Sequence, residues 1–274
     1  MDPPTKEEIV VLHELRKRIS DINLIEQDLL EDKNLVRYLR ARSGNIDDAE
    51  VMLRNHNDWY IAEDIKGSLA EYESPPGWED DFYYKLTGFD RTGCIVAVAP
   101  FGAWDIQKEM ANGNKEEFVK YCFHQIERLW SAAKYQSKSE DHMKQLVGIA
   151  DLEGFSLRQV TSYDVVEAAI RCLKGFDANY PETIKTIVIV NAPWAFQLMW
   201  KVIRPFLSER TQSKLAFIGG NKEKWREAII QHCEPDQFPE YYGGTLPDSV
   251  KLFIGRDGST SKLSENQNEI ISRK

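Results

Sequence analysis

Nowhere in the 274 residues do eighteen apolar residues run uninterrupted, and a bilayer-spanning helix needs about that many. The opening MDPPTKEEIV has no apolar stretch of the kind that an export signal requires, so the expectation is a cytoplasmic chain that neither spans a membrane nor is exported. Basic residues are too few for a general nucleic-acid binder: the net charge is −9, and phosphate neutralisation needs a cationic excess. Attraction to an anionic membrane would require a local basic patch acting against that overall charge. Cys94, Cys122, Cys172 and Cys233 show no CxxC spacing and are expected to be reduced, ordinary residues. His232-Cys233 is an isolated pair of potential ligands, and no metal and no cofactor are expected. There is no GxSxG, HExxH or Cys–His pattern, and Gly219-Gly220-Asn221-Lys222 is neither a GxxxxGK[ST] nor a GxGxxG loop. Asp151 and Glu153, just past an apolar run, are the best carboxylate pair. They read as a helix cap and a turn, with an α/β enzyme built on them as the rival reading.

What is present is globular: 42% hydrophobic and 29% charged residues can bury a core. Residues 1–74 read as a helical lobe. Ile9, Leu12, Leu15 and Ile19 recur at helical spacing, Leu35–Arg42 alternates an apolar stripe with arginines, and Gly44 supplies a stop. Asp47 with Glu50 predicts a cap for the helix carrying Ala49, Met52, Leu53, His56 and Trp59. His56 is expected to pack or bond locally. Ser74-Pro75-Pro76-Gly77 breaks the pattern and marks a boundary.

Beyond it, short apolar strands alternate with helices: Cys94–Ala99, Leu146–Ala150, Ile187–Val190 and Leu215–Ile218, with helices over 116–135 and 163–176 and through Trp225. That alternation predicts a mostly parallel sheet, so the fold class is α/β with a helical N-terminal lobe. Residues 75–248 are the expected second lobe, and 249–274 a polar tail, loose from Ser259 onward.

The stretch Val190–Leu215 needs separate treatment. Asn191-Ala192-Pro193 turns the chain, and Phe196, Met199, Trp200, Ile203 and Leu207 then fall on one helical face. The opposite face carries Gln197, Lys201, Arg204 and Ser208, and Pro205 should kink or end the helix. Spacing alone fits either a crossover helix packed on its sheet or a lid over an apolar pocket.

Five blocks decide between them by resemblance. LVRYLRARSGNIDDAEVMLRNHNDW is similar to the N-terminal helical signature of CRAL-TRIO proteins. IADLEGFSL, NYPETIKTIVIVNAPWAF, RPFLSERTQSKLAFIGG and PDQFPEYYGGTLPD resemble successive blocks of their lipid-binding domain, in order, over roughly residues 30–248. Within the family the chain is most similar to the animal supernatant-protein-factor, tocopherol-associated and retinal-binding type. Those proteins commonly carry a C-terminal GOLD domain, and the chain stops where it would begin, as in a truncated form or a shorter homologue.

The resemblance implies a non-enzymatic carrier of one hydrophobic lipid, transiently at membranes, with a CRAL-TRIO lobe whose sheet floors an apolar pocket closed by a gate helix. An 18-carbon chain at about 0.8 kcal/mol per CH₂ represents on the order of 14 kcal/mol of transfer, which a carrier must shield from water. The implied gate is Phe196, Met199, Trp200, Ile203, Phe206 and Leu207. The implied floor is Leu146, Gly148, Ala150, Ile187, Ile189, Leu215 and Phe217, with Tyr121 near the headgroup. Glu182, Thr211 and Lys214 match positions that meet the inositol phosphate in phosphatidylinositol-binding members; from spacing alone Glu182 and Lys214 would be an ordinary surface salt bridge. The departures matter: Ser43 replaces the lysine of the family's ARK triplet, and Leu146 and Gly148 replace the hydroxyl residues of phosphatidylcholine binders. A choline headgroup would lose hydrogen bonds there, at roughly 1–3 kcal/mol each. The expected guest is therefore a tocopherol, retinoid, sterol precursor or similar isoprenoid, with phosphatidylinositol as a competing ligand. The alternative is a lipid-regulated adaptor that presents phosphoinositide to a kinase or small GTPase.

Overall fold

In the computed structural model, which describes residues 1–65, 67, 71–136, 143–248, 252–254 and 260–262, the helical periodicities of the N-terminal segment form α1 (Lys6–Arg18), α2 (Asp32–Ala41) and α3 (Ile46–Ala62). Thr5 and Glu8 close a reciprocal capping box at the start of α1. The cap of α3 is not Asp47 but Asn45, whose side chain accepts from the amides of Asp47 and Asp48. An Asx side chain in extended backbone reaches those free amides, whereas Asp47 is already helical. Leu12, Leu15, Leu35, Leu39, Met52 and Leu53 make this segment's own core, which Met143 also joins. His56 is buried there among the rings of Tyr38 and Tyr60, 3.4 Å from a Glu26 carboxylate oxygen.

Long helices α4 (Lys115–Gln136) and α5 (Tyr163–Asn179) and the strands β1 (Lys85–Phe89), β2 (Ile95–Ala99), β3 (Leu146–Asp151), β4 (Ile184–Val190) and β5 (Leu215–Phe217) follow. β2 through β5 are parallel, and β1 joins β2 antiparallel across the Asp90–Gly93 turn. The outer edge beyond β1 gains β6 (Leu252–Ile254) and β7 (Thr260–Lys262), giving the order β5-β4-β3-β2-β1-β6-β7. Within the segment expected to be a polar tail, β6 and β7 pair antiparallel, with Leu252 opposite Leu86 on the open edge of β1, and β7 falls in the part expected to be loose. The remainder of 249–274 lies outside the described residues.

The pleat sorts side chains cleanly. Val96, Val98, Val147, Ile149, Val188 and Val190 face back against α7 (Lys222–Ile230) and the ring of Tyr242. On the front, Ile95, Ala97, Leu146, Ala150, Ile187 and Ile189 face α4 and α6 (Trp194–Ile203). Pro205 ends α6 as expected, with a single 3₁₀ turn at Arg204–Phe206. Among the described residues, no helix is long and apolar enough to cross a membrane.

Candidate functional site

Register places the expected floor residues side by side. Gly148 pairs with Ile187 and Ile187 with Leu215, while Ala150 pairs with Ile189 and Ile189 with Phe217. Residues two apart on a strand share a face, so these form two adjacent apolar rows. Ala97 and Ala99 extend the rows onto β2, opposite Gly148 and Ala150. They escaped sequence reading because Cys94–Ala99 is apolar throughout and shows no alternation. Small residues occupy the β2–β3 end of each row and larger ones the β4–β5 end. No side chain in either row carries a polar atom.

Helix α6 closes over this face. Ala195, Met199 and Ile203 are buried; the latter two pack into a cluster with Val165, Ala168, Phe118 and Tyr121. Phe196 meets Phe155 edge-on at 5.5 Å between centroids, and Trp200 lies 4.9 Å from Phe217. A cavity of about 320 Å³ opens between α6 and the β5 edge, lined by Ala192, Phe196, Gln197, Trp200, Phe217, Ile218 and Gly219. Leu207 is buried at the far end of the helix, and Phe206 is half-buried beneath the Lys174 ammonium. Leu146 lies apart from α6, under Ala132 and Ala133 of α4. Tyr121 comes from α4 rather than the sheet, and its hydroxyl donates to the carbonyls of Trp78 and Phe82 at 3.2 and 3.4 Å.

The outward face of α6 is less polar than its periodicity predicted. Gln197, Lys201 and Arg204 are exposed, but so are Trp194 (62%), Leu198 (40%) and Val202 (44%), which recur every fourth residue. The helix is apolar over more than half its circumference, so periodicity found the buried stripe and missed this one.

At the other end of β4, Glu182 holds a left-handed backbone (φ 59°) that few non-glycine residues adopt. Its carbonyl accepts from Arg37 at 2.9 Å and from Gln145 at 3.0 Å. Its carboxylate meets Lys214 at 3.1 Å and the guanidinium of Arg210. Burial pushes that carboxyl upward, but Arg210 and Lys214 outweigh it and hold the carboxyl below its ordinary value. Burial in turn lowers the Lys214 ammonium, against the pull of Glu182. Glu182 and Lys214 therefore come together as expected, whereas Thr211 donates instead to Asp177 at 2.5 Å. Arg210 was missed; its place four residues before Lys214, one helical turn away, was the available signal. It puts a second cation on Glu182 in a chain whose ARK position is Ser43.

Asp151 and Glu153 hold a turn. Asp151 accepts from the Glu153 amide, from Asn191 at 2.9 Å and from the Tyr242 hydroxyl at 3.0 Å, while Tyr241 donates to Glu153. Both carboxylates are engaged in structural bonds, and Asp151 turns to the back of the sheet, away from the apolar rows. Among the described residues, no group of three His, Cys, Asp or Glu could hold a metal ion. The Cys233 thiol is pushed up to about 12 by burial.

Comparison with known proteins gives two family matches: the CRAL/TRIO domain over residues 80–244 and the CRAL/TRIO N-terminal domain over 11–55. "Protein real-time" of Anopheles gambiae is 30% identical over 270 residues, and its Aedes aegypti counterpart 29% over 239. A "CRAL-TRIO domain-containing protein T23G5.2" of Caenorhabditis elegans is 27% identical over 218 residues. These alignments cover 93%, 85% and 79% of this chain but only 38%, 36% and 30% of the relatives, so the chain spans about a third of their length. The solved structure titled "Crystal structure of Sfh5" superposes with a TM-score of 0.70 at 16% identity, covering 100% of this chain and 98% of that one. It shares the fold.

Proposed function

The chain belongs to the CRAL/TRIO family, whose members bind and transfer lipids, and from that premise we propose that it carries one hydrophobic lipid between membranes, held on the apolar rows beneath α6. The observation that carries this reading is the pairing of those rows with a helix that is apolar on both its inner and outer faces. A helix of that kind loses little by leaving its seat when the alternative surrounding is a bilayer, because apolar surface stays out of water on either side. Exposed Lys201 and Arg204 flank the outer stripe and supply the local positive charge that the chain as a whole lacks.

The guest we propose is weakly polar: a tocopherol, retinoid, sterol precursor or similar isoprenoid. The all-apolar rows favour it over a choline lipid, which would leave polar atoms without partners. The ring-lined opening at Phe196, Trp200 and Phe217 suits a flat or unsaturated guest. Phosphatidylinositol would compete through Lys214 and Arg210. Mass spectrometry of lipid extracted from the purified protein tests the ligand class, and recovery of phosphatidylcholine alone would overturn it. Trp200→Asp should block transfer between vesicles while the far-ultraviolet circular dichroism stays unchanged; undiminished transfer would remove the gate assignment.

A further inference from the structure

The segment that follows α6 is braced within itself and fastened to α5 at one carboxylate. Gln212 ties the turn internally: it accepts from Arg204 Nε at 2.8 Å and donates to the Leu207 carbonyl at 2.8 Å. Ser208 caps the short helical turn Glu209–Gln212. Residues 204–212 therefore form one small unit. Asp177, in the last turn of α5, accepts from that unit three times: from the Ser208 amide at 3.2 Å, the Ser208 hydroxyl at 2.8 Å and the Thr211 hydroxyl at 2.5 Å. Lys174, three residues earlier and so on the same side of α5, sets its ammonium 4.6 Å from the Phe206 ring centre. The opposite end of the gate is tied differently, through Asn191, whose left-handed backbone and side chain are both fixed on the strand end at Asp151.

We infer that Asp177 is a positioning residue for the gate: its carboxylate pins the hinge after α6, and breaking that contact sets how often the helix lifts. The inference rests on the reading of α6 as a lid. A carboxylate is well suited to the part, because hydrogen bonds to a charged acceptor are stronger than neutral ones yet exchange readily with water when the site opens. Thr211, matched by sequence to a headgroup position, is held here by Asp177, so the latch and headgroup contact draw on the same hydroxyl.

The test is amide hydrogen exchange on the intact chain, read by mass spectrometry, for the Asp177→Ala and Ser208→Ala variants. We expect exchange across residues 205–212 to rise about tenfold in each, the scale set by loss of a charge-assisted hydrogen bond. The β3–β4 ladder should keep its protection, and the double variant should add little to either single one. Transfer of all-trans-retinol between phosphatidylcholine vesicles should accelerate in parallel. An unchanged hinge in both variants, or an equal rise throughout the ladder, would overturn the latch. A faster hinge with an unchanged transfer rate would overturn the lid reading instead.

Discussion

Gly148 and Ile187 face each other across the β3–β4 ladder, and a Cβ added at Gly148 would lie 3.2 Å from Ile187 Cγ1. The space that the glycine leaves is thus filled by its neighbour's side chain. Gly148→Ala should require Ile187 to shift by a few tenths of an ångström, and Gly148→Val should cost about 1–3 kcal/mol through overpacking. Thermal melts measure the cost. Retinol binding by the alanine variant shows whether this spot forms part of the pocket, and a fall in affinity larger than the fall in stability is the expected result.

Leu198 is exposed on the outer face of α6 and contributes little to the folded chain. Leu198→Asp should change stability by no more than about 0.5 kcal/mol, as surface substitutions do. The same change should weaken cosedimentation with anionic vesicles by about tenfold or more, since a leucine entering the interface contributes roughly 1.5–3 kcal/mol. Equal cosedimentation of the variant and the parent would remove the outer stripe from membrane contact.

Lys214 and Arg210 share the Glu182 carboxylate, so removing one leaves the other neutralised. Lys214→Ala should abolish most phosphatidylinositol transfer and leave retinol binding within about twofold, because the apolar rows are untouched. Parallel loss of both activities would mean that the cation supports the fold rather than a headgroup.

Glu127 gives the chain a pH signature. Burial pushes its carboxyl above the ordinary value of 4.5; Lys134 opposes that, Glu26 adds to it, and the Tyr180 hydroxyl, donating at 2.7 Å, opposes it along with His56. Tyr60 also bonds this carboxyl. A carboxyl raised in the folded state makes a stability contribution that is complete below the unfolded value and is lost as pH rises through the folded one. Glu127→Gln should therefore gain stability on the parent as pH rises through the folded-state value of this carboxyl, read as the difference between their melting temperatures across a pH series. Glu182 works in the opposite sense: its lowered carboxyl stabilises above the ordinary value and ceases to do so as pH falls through the folded one.

That the row residues share one face follows from strand geometry once the strands are placed, and the resemblance, not an alternation of polar and apolar residues, picked them out. Gly148 and Ala150, or Ile187 and Ile189, cannot share a strand without sharing a face. The inner face of α6 was legible in the sequence at helical period. What escaped reading depended on partners remote in sequence. Trp194, Leu198 and Val202 look no different from buried residues until the packing decides which side is covered. Asn45 displaced Asp47 as a cap because one residue of register decides which side chain can reach free amides. Arg210 on Glu182 and Thr211 on Asp177 join elements through a loop whose path no local pattern prescribes. The hairpin of 252–254 and 260–262 exists because β1 offers an open edge, a property of the sheet and not of the tail.

The parallel pairing of β2 through β5 also bears on how the protein is made. Ile95 must find Leu146, and Ile187 must find both Gly148 and Leu215, each across an intervening helix. Such distant partners make folding slow, because the loops must close before the contacts reward them. The two apolar rows proposed as the lipid seat are assembled from just these pairings, so they do not exist in a partly folded chain. On the proposed reading, a newly synthesised molecule would have to complete the sheet before it could take up lipid, and until then the apolar surface of α6 is an aggregation hazard.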